Sequence, residues 1–327
     1  MIRFVVTSGH EYTLGAVTNR KTRVRPLPVG VWTYRRLFAA KTLPPGTWVF
    51  SDLERLAVWE LRLAGDVARI LREAGPSFRV LNDPARAACR YELLLRLHTE
   101  SFNRFRAWRA EDGAPAETRF PVFLRLESNH GMPVSGLIQT PEALAAEIED
   151  LSRAGISRRG VLIIEYEAEA LAPGVFRKFG AYRMGDRVVA DHMVHDKTWL
   201  AKYGDASAWN DARYAEEADY VRMNPHAEAV MRACEIGGID YGRADYGVVG
   251  GSVQVWEINT NPFLPAANLR KASPLRVEAT LAARDARVAA IEALDTPGDG
   301  PPVAIGSALM DAHRGRQNWL RREMIRD

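Results

Sequence analysis

The chain has 327 residues, with 44 Lys and Arg against 41 Asp and Glu, so its formal net charge is +3. Hydrophobic residues make up 47% and charged residues 26%, which is typical of a globular protein that needs neither a disulfide nor a metal to hold its core. A charge this close to balance gives no support to nucleic-acid binding, and we expect no nucleic-acid partner.

Cysteine usage and hydropathy predict the compartment. Cys89 and Cys234 are far apart and form no C-x-x-C motif. We therefore expect two unpaired thiols in a cytoplasmic protein, with one long-range disulfide as the alternative. The apolar run in residues 1–6 is too short for a signal peptide, and no apolar run is long enough to span a membrane.

The first hundred residues alternate between strand and helix patterns. Residues 2–7, 47–50 and 78–81 are strand-like. Asp52 stands at an N-cap position before an amphipathic pattern that ends at Gly75-Pro76, and a second helix runs through Leu93, Leu94 and Leu97. This alternation predicts a small α/β lobe.

From residue 120 the pattern changes to longer strands. Strands are predicted at 120–127, 161–166, 176–184, 187–194, 240–248 and 254–259, with a helix beginning near Pro141. Residues 211–236 are predicted helical with a break at Asn224-Pro225, and Gly185-Asp186 indicates a hairpin turn. Two more helices follow at 274–294 and 305–325, separated by a linker at 296–302.

The most informative segment is a predicted hairpin that turns at Gly250-Gly251. Asp245 and Glu257 face each other across it, and the two-residue period of a strand places Arg243 with Asp245, and Asn259 with Glu257. Carboxylate and amide oxygens suit Mg²⁺ or Mn²⁺ shared with phosphate. The alternative is a cross-strand charge pair on a solvated face. The many flanking valines predict burial, however, and a buried carboxylate needs a metal or a basic partner.

The segment Arg243-Ala-Asp245, the turn, and Trp256-Glu257-Ile258-Asn259-Thr260-Asn261-Pro262 together resemble the C-terminal motif of the ATP-grasp superfamily. The resemblance implies an α/β (α+β) chain with an N-terminal lobe at 1–82, two ATP-clasping lobes within 83–268, and extra C-terminal helices at 269–327. It implies ATP and two Mg²⁺ (or Mn²⁺) ions as cofactors, with the ions held by Asp245, a bridging Glu257, and Asn259. Arg243 would contact the transferring phosphate or stabilise a tetrahedral intermediate.

The same resemblance implies nucleotide contacts upstream. Arg125, on the strand before the Gly-rich segment 128–136, stands where the family usually has Lys. Arg90 stands where a second phosphate-contacting Lys is common, with an exposed helical charge as the alternative. Residues 161–166 resemble the hinge strand, whose end at Glu165 and Tyr166 would offer backbone groups to the adenine.

Two choices between neighbouring residues follow from this resemblance. Glu167 and Glu169 are both candidates for the ribose hydroxyls. Successive strand residues point to opposite faces, so either Arg177 or Lys178 faces the phosphates, and we favour Lys178.

The histidines and the C-terminal arginines are less specific signals. His192 and His195 would lie on opposite faces of a strand, which favours pocket lining or a structural role over metal binding. His10 follows the first strand, where ligands often bind. The arginines after position 310 predict a solvated face, or a lid or homodimer contact: Arg314, Arg316, Arg321, Arg322 and Arg326.

The function that these residues imply is that of an ATP-dependent ligase. It would convert a small-molecule carboxylate to an acylphosphate and join it to an amine, with no protein nucleophile. One alternative is a kinase that phosphorylates a hydroxyl, although no general base is assignable from the sequence. The other is a nucleotide-binding protein without catalysis.

Overall fold

The structure is a computed structural model that describes residues 1–18, 27–171, 174–202, 204–264, 273–296 and 298–323, with the side chains of 318–323 left aside. Within these residues both cysteines are free thiols, Cys234 buried and Cys89 partly exposed, as predicted. None of the described helices combines the length and apolar character needed to cross a bilayer.

A parallel sheet forms the N-terminal lobe. Its elements are β1 (Ile2–Val6), α1 (Gly15–Thr18), β2 (Val29–Thr33), α2 (Tyr34–Ala39), β3 (Thr42–Leu43), β4 (Gly46–Phe50), α3 (Val58–Glu73) and β5 (Phe78–Leu81). The strand order is β2-β1-β4-β5, and all neighbours are parallel. The predicted small α/β lobe is confirmed, but β2 and α2 were missed because the segment before them carries no clear periodicity.

The N-cap predicted at Asp52 is wrong. Asp52 has a left-handed backbone (φ 57°) and precedes a short 3-10 turn, and α3 begins six residues later at Val58. The Asp52 carboxylate accepts hydrogen bonds from the Thr7 backbone N (3.0 Å) and the Thr7 hydroxyl (2.8 Å) instead. It therefore ties the end of β4 to the end of β1.

A second, three-stranded lobe follows. Its elements are α4 (Arg90–Thr99), β6 (Ala107–Arg109), β7 (Val122–Leu126), α5 (Pro141–Arg153) and β8 (Val161–Glu165). The strands are antiparallel in the order β6-β8-β7. Helix α5 begins where expected because the Thr140 hydroxyl accepts from the Ala143 N–H and Pro141 occupies the first turn.

The third lobe is a larger antiparallel sheet covered by two helices. Its elements are β9 (Ala170–Leu171), β10 (Val175–Met184), β11 (Arg187–Asp196), α6 (Asp211–Met223), α7 (Ala227–Gly237), β12 (Tyr241–Val249) and β13 (Ser252–Asn259). The order is β11-β10-β12-β13, with β9 on β10. The predicted break in the helical segment is confirmed, because Asn224 adopts a left-handed backbone (φ 46°) that ends α6.

The C-terminal extension contains α8 (Pro274–Glu292), β14 (Val303–Ala304) and α9 (Ala308–Glu323), and it packs on two lobes. Helix α8 lies mainly against α6 and β11 of the third lobe, whereas its last residues, β14 and α9 contact the N-terminal lobe, where β14 pairs with β3. The expected solvated face is wrong for Arg314, whose guanidinium donates to the carbonyl oxygens of Phe38, Ala40 and Ile305. Arg316 is exposed. The side chains of Arg321 and Arg322, and Arg326 altogether, lie outside the described residues.

Candidate functional site

The candidate site lies on one face of the large antiparallel sheet. The predicted hairpin pairing is confirmed: Asp245 is opposite Glu257, and Arg243 is opposite Asn259. Gly180 on β10 lies opposite Asp245, and His192 on β11 lies opposite Gly180. Because directly opposed residues share a face, His192, Asp245 and Glu257 form one cross-strand row.

Asp245 is buried between two cations. The Arg243 Nε donates to Asp245 Oδ1 (2.8 Å), and the Lys178 Nζ lies 3.1 Å from Oδ2. Burial alone would raise the pKa of Asp245, but the charges of Arg243 and Lys178 lower it to about 2. Asp245 is therefore a carboxylate at any physiological pH.

Glu257 is held by two arginines from other elements. Arg90 Nη2 (2.5 Å) and Arg125 Nη2 (2.7 Å) both contact the same oxygen, Oε2. Burial opposes ionisation, yet these charges hold the pKa of Glu257 well below its usual range. No described residue donates a hydrogen bond to Oε1, which leaves that oxygen available to another ligand.

Arg90 is buried, so the alternative of an exposed helical charge is wrong. Its Nη1 donates to the carbonyl oxygens of Leu126 (2.8 Å), Glu127 (3.0 Å) and Asn129 (2.8 Å). Arg90 thus fixes the start of the Gly-rich segment against the Glu257 carboxylate.

His130, within the Gly-rich segment, joins the N-terminal lobe to the site. Its Nε2 lies 2.6 Å from Glu54 Oε1, and the Thr260 hydroxyl donates to Glu54 Oε2 (2.7 Å). Burial would lower the pKa of His130, but the interactions with Glu257 and Glu54 raise it to about 9. The sequence analysis missed the contact between His130 and Glu54, because the two residues are 76 positions apart.

An aromatic cleft of about 540 Å³ adjoins these charges. Phe123 and Trp199 lie 5.0 Å apart between ring centroids, and Tyr166 is edge-on to Trp199 at 5.8 Å. Trp256 closes another wall and donates from Nε1 to Glu167 O (3.1 Å). The sequence analysis treated Trp256 only as a hydrophobic position of the motif, and it did not predict that Phe123 and Trp199 line a cleft.

The two residues assigned to the hinge have different surroundings. The Glu165 carboxylate is fully buried and accepts from Arg106 and Arg119, including both of their backbone N–H groups. The N–H of Glu165 donates to Arg106 O and that of Tyr166 to Pro121 O, while the Tyr166 side chain lines the cleft. Because the N–H groups of Glu165 and Tyr166 are already used, a ring bound in the cleft would have to accept hydrogen bonds from backbone N–H groups of residues after Tyr166.

The structure separates both pairs of neighbouring candidates. Lys178 faces Asp245, whereas Arg177 pairs with Glu216 away from it. Glu167 lines the cleft, and its carboxylate accepts from Arg119 Nη2 (3.2 Å), whereas the Glu169 carboxylate accepts from Gly250 N (2.8 Å).

His192 lies on the site face because the facing residue is a glycine. A Cβ on Gly180 would come within 2.8 Å of the imidazole. Nδ1 of His192 is 2.6 Å from Asp191 Oδ2, and Asp191 is paired with Arg287. Since a carboxylate only accepts, Nδ1 carries the hydrogen and Nε2 carries the lone pair. Burial and the nearby Arg243 lower the pKa of His192 to about 4.

The other two singled-out histidines lie away from this row. His195 is fully buried, with its ring edge-on to Trp209 at 4.8 Å. His10 follows β1 and bonds Thr7 and Asp52.

The donors fit a hard divalent cation. Asp245, Glu257 and Asn259 offer oxygens on paired strands. Asn259 Oδ1 accepts from Asn261 N (2.8 Å), which leaves it one lone pair, and Arg243 and Lys178 contact the two Asp245 oxygens. In the part of the chain that the structure describes, no group of three or more His, Cys, Asp or Glu could hold a metal alone. A cation here would need further oxygens, such as those of a phosphate or water.

The charges around the site are unbalanced. Four cationic side chains contact two carboxylates: Arg90 and Arg125 contact Glu257, and Lys178 and Arg243 contact Asp245. His130 is protonated because its pKa is raised, and its positive charge balances that of Glu54. This surplus favours an anionic ligand next to the aromatic cleft.

Solved structures similar to this chain include a D-alanine–D-alanine ligase, an ATP-grasp protein with a RimK domain and an ATP-grasp ligase. D-alanine–D-alanine ligase from Bacillus anthracis complexed with ATP is 11% identical, covers 88% of this chain and 99% of its own, and has a TM-score of 0.43. A RimK domain ATP-grasp protein from Sphaerobacter thermophilus is 16% identical, with a match that covers 87% of this chain and 99% of that protein (TM-score 0.46). The ATP-grasp ligase PsnB, complexed with a precursor peptide and AMPPNP, is 15% identical, with a match that covers 89% of this chain and 97% of PsnB (TM-score 0.46).

The mixed α/β class predicted from the sequence motif is the class observed in the structure. No family model and no curated protein matches the chain.

Proposed function

We propose that this protein is an ATP- and Mg²⁺-dependent ligase that activates a carboxylate and joins it to an amine. The observation that carries the proposal is the position of Arg125, whose side chain lines the aromatic cleft and also contacts Glu257. A ligand with a flat ring in the cleft would direct its anionic part onto the surplus of cations. A nucleoside triphosphate has this chemistry.

We assign the nucleotide contacts as follows. Phe123, Trp199 and Trp256 would enclose the base, and the Glu167 carboxylate would accept from the ribose hydroxyls. Arg90, Arg125 and Lys178 would shift from the carboxylates to the phosphates. When bound, Mg²⁺ at Asp245, Glu257 and Asn259 would supply charge neutralisation, and ATP the phosphoryl group.

Arg243 and His192 would act on the second half of the reaction. Arg243 is fixed by Asp245 and would stabilise the oxyanion that forms when an amine adds to the acylphosphate. His192 Nε2 would take a proton from that amine, because its low pKa keeps the ring neutral and Asp191 orients it. The products would be an amide, ADP and phosphate.

The second candidate is a kinase, and the same histidine favours it. A neutral imidazole held by Asp191 is the general base that phosphorylation of a hydroxyl requires. The ligase remains our preference because Arg243 lies beside the metal ligands, where an oxyanion would be stabilised.

Hydroxylamine trapping separates these activities. With ATP, Mg²⁺ and a pool of carboxylic acids, a ligase would form hydroxamates and release ADP. Phosphorylated hydroxyl compounds without hydroxamate would instead identify a kinase. If ATP binds but neither product forms and no ADP is released, the chain is a non-catalytic nucleotide-binding protein.

We also propose the division of the chain into 1–82, 83–268 and 269–327, with the nucleotide in the middle region. The pairing of β14 with β3 supports a C-terminal extension that buttresses the N-terminal lobe. The two free thiols are consistent with a cytoplasmic location.

A further inference from the structure

A helix of the C-terminal extension reaches the strand that carries His192. Helix α8 packs on α6 and β11, and its Arg287 is paired with the Asp191 carboxylate. Both of these side chains are buried, whereas His192, the next residue on β11, keeps 29% of its side chain exposed. The extension is therefore connected to the candidate site through Asp191.

A β-bulge brings Asp191 and His192 together. Consecutive residues of a regular strand point to opposite faces of the sheet, so their side chains do not meet. Gly180 of β10 lies opposite His192, but the next residue of β10 lies opposite Ala190. Asp191 is therefore the extra residue of a bulge, which re-aims its side chain. As a result, Asp191 Oδ2 lies 2.6 Å from His192 Nδ1.

The two oxygens of Asp191 have different partners. Arg287 Nη1 contacts Oδ1, and His192 Nδ1 contacts Oδ2. Arg287 can only donate, so it requires an acceptor at the Oδ1 position. The carboxylate then presents its second acceptor to His192, which places the hydrogen on Nδ1 and the lone pair on Nε2. Because Arg287 compensates the buried charge of Asp191, the carboxylate orients the imidazole without needing an imidazolium as its counter-charge.

The same face of α8 supports β11 on the other side of His192. Arg276 and Arg287 are eleven positions apart on α8, which is about three helical turns and places them on one face. Arg276 Nε lies 3.6 Å from Glu217 Oε2, and Glu217 Oε1 accepts from the backbone N of Met193 (3.1 Å). Met193 follows His192, so α8 acts on both neighbours of the imidazole in the chain.

We propose that Arg287 is a positioning residue for His192: it anchors Asp191 so that the neutral imidazole carries its hydrogen on Nδ1. The C-terminal extension thus completes the candidate site. Use of the Nε2 lone pair as a base rests on the proposed function, whereas the tautomer of His192 does not.

The first test measures this tautomer by long-range proton–nitrogen NMR of the full chain with isotope-labelled histidine, and His192→Gln assigns the signals. At about pH 8 the ring is neutral, because burial and Arg243 lower the pKa of His192 to about 4. We expect Nδ1–H in the parent protein. In Asp191→Asn, Arg287 still requires the amide oxygen, so the amide nitrogen faces Nδ1 and the hydrogen should move to Nε2.

The double variant Asp191→Asn/Arg287→Met shows whether Arg287 causes that exchange. Without the guanidinium the amide is free to turn its oxygen toward Nδ1, and the Nδ1–H form should return. Turnover should follow the tautomer. Asp191→Asn should lower kcat about a hundredfold or more with the KM for ATP unchanged, and the double variant should recover at least about tenfold of this loss.

Arg287→Met alone keeps the carboxylate but removes its counter-charge. The His192 imidazole should then hold a proton to higher pH than in the parent protein, so its pKa should rise. The other charged groups that act on this imidazole are unchanged: Lys178 on β10, Arg243 and Asp245 on β12, and Glu217 on α6. This variant decides the question if thermal melting shows that Asp191→Asn does not fold.

The matched control is Arg284→Met, the same change three residues earlier on α8, where the guanidinium pairs with the neighbouring Asp285. It should change neither the tautomer nor the pKa of His192. The proposal is overturned if Asp191→Asn keeps Nδ1–H, if the double variant has the same tautomer as Asp191→Asn, or if Arg287→Met leaves the pKa of His192 unchanged. The expected tautomers with an unchanged kcat would support the positioning role and remove His192 as the base of the proposed function.

Discussion

Two glutamates near strand ends, the buried Glu165 in the three-stranded lobe and the mostly buried Glu257 in the large antiparallel lobe, are stabilised as carboxylates in different ways. Both have a lowered pKa although burial would raise it. Glu165 accepts from two backbone N–H groups and two arginines, distributed over both of its oxygens. Among the described residues, Glu257 is held by side chains alone, and its contacts with Arg90, Arg125 and His130 all fall on Oε2.

The difference separates a structural anchor from a ligand. Backbone donors cannot leave without local unfolding, so Glu165 is committed to the fold. The long side chains of Arg90 and Arg125 can turn toward a phosphate and release Glu257 to a cation. Two carboxylates whose pKa values are both lowered can therefore differ in whether they can leave their partners to bind a cation.

The largest expected effect is on activity when Glu257 is changed. Glu257→Gln removes the charge that pairs with a cation, and we expect ATP turnover to fall by at least about 10³-fold, beyond the 10–100-fold typical of outer-shell partners. Steady-state ADP release measures it, and Glu169→Gln is the control because that carboxylate accepts from Gly250 N and lies outside the set of cleft-lining residues. Activity within tenfold of the parent protein would remove Glu257 from the site.

Glu165 should show the converse pattern, with stability as the main loss. Glu165→Gln leaves Arg106 and Arg119 without their full buried partner, and we expect unfolding to become easier by about 3–5 kcal/mol. Denaturant melts measure this, with the exposed pair variant Glu149→Gln expected to cost no more than about 1 kcal/mol. Equal losses in both variants would contradict the comparison.

The sequence could predict the pairing of Asp245 with Glu257 because a tight turn and a two-residue period determine it locally. It could limit the phosphate-facing residue to Arg177 or Lys178, with Lys178 favoured. It could not predict that Glu165 meets the N–H groups of Arg106 and Arg119, or that His130 meets Glu54, because tertiary packing alone brings these residues together. Asp52 was misassigned for the same reason: its partner is Thr7, which follows a different strand.

The contacts of His130 with Glu54 and Glu257 should make the stability of the protein depend on pH. The pKa of His130 is raised from 6.5 to about 9, so its stabilising contribution is complete below about pH 6.5 and is lost as the pH rises through about 9. The loss should amount to about 3 kcal/mol. Denaturant melts between about pH 6 and about pH 10, the window that these pKa values set, measure this loss of stability.

His130→Gln is the variant that isolates this contribution. It should be less stable than the parent protein at low pH and should converge with it at high pH, since other titrating groups are common to both. If the difference between the two proteins stays constant with pH, the Glu54–His130–Glu257 contact does not titrate as described.

The smallest expected effect is that of Glu167, and its neighbour Glu169 provides the control. Glu167 lines it, whereas Glu169 is occupied by Gly250 N. Losing one hydrogen bond to a ribose hydroxyl costs about 1 kcal/mol, so Glu167→Gln should raise the KM for ATP about fivefold with little change in kcat.

Glu169→Gln is the matched control, because it makes the same chemical change two residues away and should leave the KM for ATP unchanged. An ATP analogue without the 2′- and 3′-hydroxyls adds a second check: it should bind the parent protein and Glu167→Gln with similar affinity, since the contact is then missing in both. A KM effect in Glu169→Gln alone would reverse the assignment. Equal effects in both variants would mean that the segment acts through its backbone, as the anchoring of Glu165 immediately before it would allow.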